Sequence, residues 1–343
     1  MLFFDYYQPF VLENNEILPT IRIAYQTYGK LNASKNNVVW ICHALTANAE
    51  ATTWWSGLVG ASKCIDIEKY FVVCANILGS CYGSTYALSI NPLTQRPYFH
   101  TFPLITIRDM VKAHILLRKH LGIEKILLGI GGSLGGQQVV EWAIQEPEVF
   151  ENIVLIATNA VHSAWGIAFN ESQRMAIATD ATWQTDSPQA GINGMKTARS
   201  IALLSYRNYN TYQHTQTEPN SEKLENFRAS SYQNYQGEKL AKRFDAFAYW
   251  TLSKAMDSHN VGRGRGSIEQ ALAKIKAKTL CIGISSDILF PPTEQQFLAQ
   301  HIPHATYKEI HSLYGHDGFL LEYEALTRLL NEFVFANNTK SIS

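Results

Sequence analysis

The residues with the clearest chemical potential lie around Ser133, within the run Gly-Gly-Ser-Leu-Gly-Gly of residues 131–136. An apolar segment precedes this run, and a helical pattern begins near Gly135. A serine at a sharp strand-to-helix turn presents its hydroxyl for nucleophilic attack, and glycines beside it allow the close backbone approach that the turn needs. A dinucleotide or phosphate loop is disfavoured, because the glycines of residues 129–132 do not fit G-x-G-x-x-G and no G-K-[ST] occurs.

A nucleophilic serine needs a general base and an acid that orients the base, and after such a turn they follow in the order Ser, Asp, His. Asp287 and His316 each come after an apolar run with strand character, in loops where such residues are expected. Either residue alone could be a turn aspartate or a loop histidine bonded to the backbone. Together with Ser133 they predict a catalytic triad. His311 is the nearest competitor of His316, but it lacks the adjacent glycine.

Acyl chemistry at a serine also needs two backbone N–H groups that stabilise the developing oxyanion. Leu134, the residue after the serine, supplies one candidate donor. The loop His43–Ala47 follows the apolar run Val38–Cys42 and offers Leu45 as the other donor. A plain exposed turn is the alternative interpretation of this loop.

Apolar runs that alternate with turns and helical patterns must position these residues, and this alternation is typical of a mostly parallel sheet with crossover helices. The predicted strands are Val38–Cys42, Phe71–Ala75, Lys125–Gly129, Ile153–Ala157, Thr279–Ile284 and Ala305–Ile310. The predicted helices are Ile107–Leu121, Gly135–Gln145 and Thr293–His301. Alternating apolar and polar residues in Thr20–Gly29 predict an antiparallel edge strand or hairpin.

Residues 162–274 interrupt this alternation, since they contain helical patches but no continuous apolar strand run. A polar stretch lies between Arg207 and Gly237, and its part from Tyr206 to Tyr235, rich in Tyr, Asn and Gln, indicates loop and lid surface rather than a binding module. We therefore expect a helical lid of residues 162–274, inserted into one core that residues 1–161 and 275–343 form together.

Composition narrows the function classes. The 343 residues carry 29 Lys and Arg against 29 Asp and Glu, so no global charge recruits nucleic acid or an anionic membrane. Hydrophobic residues make up 46% and charged residues 17%, which is typical of a packed enzyme. The five cysteines form no Cys-x-x-Cys pair, which argues against a disulfide scaffold and a metal site.

The N-terminus lacks a secretory pattern, and no apolar run approaches the ~18 residues of a membrane span. A soluble cytoplasmic protein is therefore predicted.

Longer blocks resemble the homoserine O-acetyltransferase family, α/β-hydrolase-fold acyltransferases of methionine biosynthesis. The similarity runs through most of the chain, in blocks that include Ala44–Thr46, Cys81–Thr85, Ser89–Pro92, Thr106–Met110, Gly131–Gln137, Tyr235–Leu240, Arg243–Ala246, Gly262–Gly266 and Tyr314–Asp317. The resemblance implies an α/β-hydrolase fold and a homodimer. It also implies an enzyme that transfers an acyl group from acetyl-CoA through Ser133 to L-homoserine and has no bound cofactor. It also implies that Arg199 binds the homoserine carboxylate, Tyr206 lines the pocket and Asp317 meets the amino group.

Several alternatives stay open at this point. The family also contains homoserine succinyltransferases and serine acyltransferases, and a serine esterase would use the same triad with water as the acceptor. A non-enzymatic binding protein of this fold is disfavoured, because all three triad residues are present. Arg263 and Arg265 could form a CoA phosphate contact, a solvated connector or an RGG-like nucleic-acid segment, although the last lacks interleaved aromatic residues.

Overall fold

A computed structural model describes residues 1–335, and eight strands of it form one sheet. In chain order they are β1 (Leu2–Tyr6), β2 (Ile21–Tyr28), β3 (Val38–Cys42), β4 (Phe71–Ala75), β5 (Ile126–Gly132), β6 (Phe150–Ile156), β7 (Lys278–Ile284) and β8 (Ala305–Ile310). Their order across the sheet is β1-β2-β4-β3-β5-β6-β7-β8. Strands β3 to β8 are mutually parallel, whereas β2 pairs antiparallel with both β1 and β4. Two-residue strands pair outside this sheet, namely Phe10–Val11 with Ile17–Leu18, Val59–Gly60 with Ile65–Asp66, and Ile90–Asn91 with Arg96–Pro97.

Twelve α-helices accompany the sheet within residues 1–335. They are α1 (Ala51–Trp54), α2 (Ile107–His120), α3 (Leu134–Gln145), α4 (Ala164–Ala178), α5 (Ile192–Tyr206), α6 (Tyr209–Gln216), α7 (Arg228–Ala241), α8 (Ala246–Asp257), α9 (Ile268–Leu272), α10 (Pro292–His301), α11 (Gly318–Leu321) and α12 (Tyr323–Leu330). Short 3₁₀ turns occur at Phe99–Thr101 and Gly315–Asp317, and a π-helical turn at Asn331–Phe335. No helix in this range combines the length and apolar composition that crossing a membrane requires.

Helices cover both faces of the sheet, so its central strands are buried on both sides. In β3, Val38 and Trp40 belong to the core under α2, α3 and α10, while Val39 and Ile41 belong to the core under α1 and α12. Such two-sided burial requires a continuous apolar run rather than alternation, and β3 has that sequence. This is the expected α/β architecture with a mostly parallel sheet.

The six predicted parallel strands are present, with shifts at some ends. Strand β5 continues to Gly132, and β6 begins at Phe150 rather than Ile153. The segment predicted as an antiparallel edge strand or hairpin forms β2, which is antiparallel but lies inside the sheet. The edge position belongs to β1, whose strand the sequence pattern did not predict.

Six helices, α4 to α9, occupy the chain between β6 and β7 and no strand of the central sheet does. Helices α4 to α8 pack mainly on one another, whereas α9 packs on α3 and α10 of the core. The interpretation of residues 206–235 as loop and lid surface was wrong in part: the stretch is largely exposed and residues 217–227 are loop, but it also contains α6 and the first half of α7. Helix α7 buries only Gly237 and Leu240 and therefore shows little apolar periodicity. The lid boundaries at 162 and 274 stay predictions, and residues 336–343 of the predicted core lie outside the described part.

Candidate active site

Ser133 lies at a sharp turn between β5 and α3, and its backbone φ of 56° and ψ of −128° are strained for a residue with a side chain. Two glycines make the turn possible. A Cβ at Gly135 would clash with the carbonyl oxygen of Cys42, and one at Gly131 would clash with the backbone of Gly135. The Ser133 N–H donates to the Ile156 carbonyl oxygen of β6 at 3.0 Å, which anchors the turn to the sheet.

His316 and Asp287 form a buried pair next to this turn. The Nδ1–H group of His316 donates to Oδ2 of Asp287 at 2.6 Å. The other carboxylate oxygen accepts the backbone N–H groups of Leu289 and Phe290 at 2.8 and 2.9 Å, so the acid is held in place. The Phe290 ring stacks on the imidazole with a centroid separation of 5.0 Å. This bonding of Nδ1 leaves Nε2 as the basic nitrogen.

Ser133 and His316 line one cavity of about 490 Å³, here called the site cavity. His316 Nε2 is buried and has no hydrogen-bond partner within residues 1–335, so its lone pair is free to accept a proton. Nε2 and the Ser133 hydroxyl do not form a hydrogen bond in this structure. Catalytic hydrogen bonds often form only when substrate binds. His311 is exposed at the end of β8. The structure thus brings the three predicted triad residues together and leaves the competing histidine outside.

The predicted oxyanion donors belong to the loop after β3 and to the residue that follows Ser133. Leu45 is inside a turn in which the Ala47 N–H donates to the Ala44 carbonyl oxygen at 3.0 Å, and it lines the site cavity. Within residues 1–335 its own N–H has no hydrogen-bond acceptor. Leu134 is the first residue of α3, where a helix leaves its N–H groups without intrahelical acceptors. Both N–H groups are therefore available for an oxyanion.

A buried glutamine, which sequence reasoning missed, connects the two oxyanion segments. The Gln138 side-chain amide donates to the carbonyl oxygens of His43 at 3.2 Å and Leu134 at 3.1 Å. Its own oxygen lies 3.0 Å from Nε2 of His114. Nε2 of His43 accepts the Ile77 N–H at 3.2 Å. Burial lowers the pKa of both histidines to about 4, so both are neutral near pH 7 and act as fixed hydrogen-bonding groups.

The residues expected to bind the acceptor also line the site cavity. The guanidinium of Arg199 lies 5.2 Å from the centre of the Tyr206 ring, and burial raises the pKa of that tyrosine. Asp317 follows His316 and accepts a hydrogen bond from Nε–H of Arg207 at 2.7 Å on Oδ2. Its other oxygen has no hydrogen-bond partner within residues 1–335. The cavity therefore holds a cation and a carboxylate beside the nucleophile, and the Arg207 contact is one that the sequence did not indicate.

The two arginines of the Gly-Arg-Gly-Arg-Gly run form ion pairs with carboxylates outside the site cavity. Arg263 donates to both oxygens of Glu13 at 2.9 Å, and Arg265 donates to the buried Glu141 at 2.8 and 2.5 Å. These ion pairs fasten the end of the insertion to the core. Neither arginine lines the site cavity, and most of the run is exposed, so the structure favours the connector among the three interpretations and adds a structural role for it.

Three further residues that the sequence did not single out by role line the site cavity, and two of them are exposed. Trp54, Lys239 and Arg243, here called the rim, all line the cavity. The Trp54 indole N–H donates to the Asn48 carbonyl oxygen at 2.8 Å. The two cations fall within blocks that resemble the family, but nothing in their local spacing connects them to Ser133.

Other proteins are similar to this chain in both sequence and fold. A family described as alpha/beta hydrolase fold matches residues 37–323. The homoserine O-acetyltransferase of Cyclobacterium marinum is 53% identical over 95% of this chain and 93% of its own length. The chain belongs to the homoserine O-acetyltransferase family. The family and the fold predicted from the sequence blocks are thereby confirmed.

Solved structures show how widely this family's fold is used. The homoserine O-acetyltransferase from Bacillus anthracis has a TM-score of 0.89 and 25% identity, over 97% of this chain and 96% of that one. Esterase E22 also has a TM-score of 0.89 and 25% identity, over 97% and 99% of the two chains. The same backbone therefore occurs in a transferase and in an esterase, and side chains must decide between the two reactions.

Replacing His316 tests the arrangement of the triad. We expect His316→Ala to lower kcat by about a thousandfold or more, because Ser133 would lose its general base. His311→Ala is the matched control and should leave kcat near the wild-type value, since that side chain is exposed. Steady-state kinetics with both variants, with circular dichroism to verify folding, decides the matter. A crippled His311→Ala with a mild His316→Ala would reverse the assignment.

Proposed function

We propose that the chain acts as a homoserine O-acetyltransferase that carries the acetyl group on Ser133 between acetyl-CoA and L-homoserine. The supporting observation is the combination in one cavity of Ser133, His316 and a charge pair, Arg199 and Asp317, that complements an amino acid. An amino acid presents one carboxylate and one ammonium, which a guanidinium and a carboxylate bind in charge-assisted hydrogen bonds. The 53% identity to a homoserine O-acetyltransferase over nearly the full chain supports the same conclusion.

In the first half-reaction the Ser133 hydroxyl attacks the thioester carbonyl of acetyl-CoA. His316 Nε2 takes the hydroxyl proton, and the N–H groups of Leu45 and Leu134 stabilise the oxyanion. Collapse of this intermediate breaks the carbon–sulfur bond, and His316 returns the proton to the departing thiolate. The products are CoA and an acetyl ester on Ser133. Asp287 keeps the imidazole in the required tautomer throughout.

In the second half-reaction the side-chain hydroxyl of homoserine replaces the thiol. His316 takes its proton, the hydroxyl oxygen attacks the acetyl ester, and the serine hydroxyl is regenerated as O-acetylhomoserine leaves. Arg199 binds the carboxylate of homoserine, and the free oxygen of Asp317 binds its ammonium. Residues 162–274 act as a lid, since helices α5 and α7 contribute to the site cavity above Ser133. Covering the ester in this way keeps water from competing with homoserine.

The choice of donor and acceptor separates this function from its alternatives. Purified protein is mixed with acetyl-CoA or succinyl-CoA, and CoA release is followed with homoserine, with serine and with no acceptor. We expect the largest kcat/KM with acetyl-CoA and homoserine. Preference for succinyl-CoA or serine would identify another member activity of the family. CoA release that no acceptor accelerates would identify an esterase-like hydrolase, the reaction named for the structurally similar esterase E22.

Arg199 is predicted to bind the carboxylate of the acceptor. Arg199→Ala should raise the KM for homoserine by about ten- to a hundredfold, because a charged hydrogen bond to the carboxylate contributes roughly 1.5–3 kcal/mol. Acyl-enzyme formation from acetyl-CoA alone should be spared. Arg228→Ala, which changes an exposed arginine of the same insertion, is the control for nonspecific charge effects. Equal losses in both half-reactions would show that Arg199 does not act on the acceptor.

Arg207 and Arg174 are weaker candidates for this carboxylate. Arg207 is paired with Asp317, and Arg174 is buried in hydrogen bonds with Ser253 and with the carboxylates of Glu171 and Asp257. Neither lines the site cavity, whereas Arg199 does.

We also propose a homodimer and a cytoplasmic location. The insertion exposes large apolar side chains that a second subunit could cover, among them Trp165, Met175 and Leu204, whose exposed fractions are 53%, 60% and 52%. Such side chains are typical of association surfaces when they lie together on neighbouring helices. In the cytoplasm, acyl-CoA and free homoserine would both reach the cavity.

A further inference from the structure

The site cavity contains more positive charge than its acceptor can use. Three side chains with full positive charge line it, Arg199, Lys239 and Arg243, against one carboxylate, Asp317. The chain as a whole has a formal net charge of zero, so this excess is local. Homoserine is a zwitterion and needs one cation and one carboxylate, which the inner pair supplies. Lys239 and Arg243 are therefore left without a role in acceptor binding.

Neither of these two cations is neutralised by the protein. Both are exposed, and neither forms an ion pair with a carboxylate of residues 1–335. Glu238, the neighbour of Lys239 in α7, pairs instead with Lys196 at 2.9 Å. The Lys239 ammonium lies over the face of Tyr235, 5.9 Å from the ring centre. Two unpaired cations at the opening of a cavity raise the local concentration of an anionic ligand.

We propose that Lys239 and Arg243 bind phosphate groups of the acyl-CoA donor. This inference rests on the proposed function, and it assigns the donor a path along the rim with its thioester directed inward to Ser133. Phosphates are the only strongly anionic groups of such a thioester, and they lie at the end remote from the acyl group. A lysine supplies a mobile point charge for a phosphate, and an arginine supplies a planar fork of donors.

Arg243 also connects this phosphate site to the oxyanion loop. Its Nη1 donates to the Thr46 carbonyl oxygen at 2.5 Å and to the Tyr82 hydroxyl at 2.6 Å. Thr46 is adjacent to Leu45, the predicted oxyanion donor. Replacing Arg243 would therefore disturb both donor binding and the loop, so Lys239, which has no such contact, gives the cleaner test.

The test compares a donor that carries phosphates with one that lacks them. For wild type, Lys239→Gln and Lys242→Gln, kcat/KM is measured with acetyl-CoA and with S-acetylpantetheine at saturating homoserine. Lys242 is the matched control, because it is exposed and close in sequence but does not line the site cavity. We expect Lys239→Gln to lower the ratio of the two kcat/KM values about three- to tenfold, and Lys242→Gln to keep the wild-type ratio.

Added salt provides an independent readout of the same contact. Raising the ionic strength should lower the acetyl-CoA to S-acetylpantetheine ratio of wild type more steeply than that of Lys239→Gln, since the variant has less charge to screen. An unchanged ratio in Lys239→Gln, or an equal loss with both donors, would overturn the proposal. Wild-type protein that fails to acetylate homoserine from either donor would contradict the proposed function instead.

Discussion

Close packing at the turn around Ser133 is the constraint on which the rest of the site depends. Because Gly135 has no side chain, the start of α3 lies directly against the Cys42 carbonyl at the end of β3. The loop that follows β3 therefore begins beside the nucleophile, and Gln138 binds the carbonyl oxygens of both segments. The serine and the two proposed oxyanion donors are thus positioned by the folded backbone before any substrate binds, which is the condition for effective electrostatic stabilisation.

The turn around Ser133 activates an acyl group, but it does not determine whether that group passes to homoserine or to water. The shared fold of a transferase and an esterase illustrates this. The side chains that could make the choice come mainly from the insertion between β6 and β7. Helix α5 supplies Arg199 and Tyr206, and α7 with the residues that follow it supplies Lys239 and Arg243. Arg199 and Asp317, the pair proposed to bind the amino acid, are half-buried in the cavity, whereas Lys239 and Arg243 are exposed. In the proposed function, acceptor, donor and water are then distinguished by charge and by access rather than by the triad.

Much of the core was predictable because local sequence determines it. Strands β3 and β5 are apolar runs bounded by turns, and the glycines around Ser133 reflect contacts that only glycine permits. Long-range pairs left no such local pattern: Arg207 meets Asp317 across 110 residues, and Arg265 meets Glu141 across 124. The second pair explains why the sequence alone left several interpretations of the Gly-Arg-Gly-Arg-Gly run open. Strand β1 was missed because its residues are all partly exposed and lack a buried periodic face.

The central claim is that an acetyl ester on Ser133 exists and passes to homoserine faster than to water. Rapid mixing of the wild-type protein with acetyl-CoA, acid quenching, proteolysis and mass spectrometry would locate and quantify the ester at successive times. The account predicts one acetyl group on the peptide that contains Ser133, stable in buffer and rapidly lost when homoserine is added, with O-acetylhomoserine formed in equal amount. Absence of the ester, its attachment to another residue, or loss at the same rate with and without homoserine would contradict it.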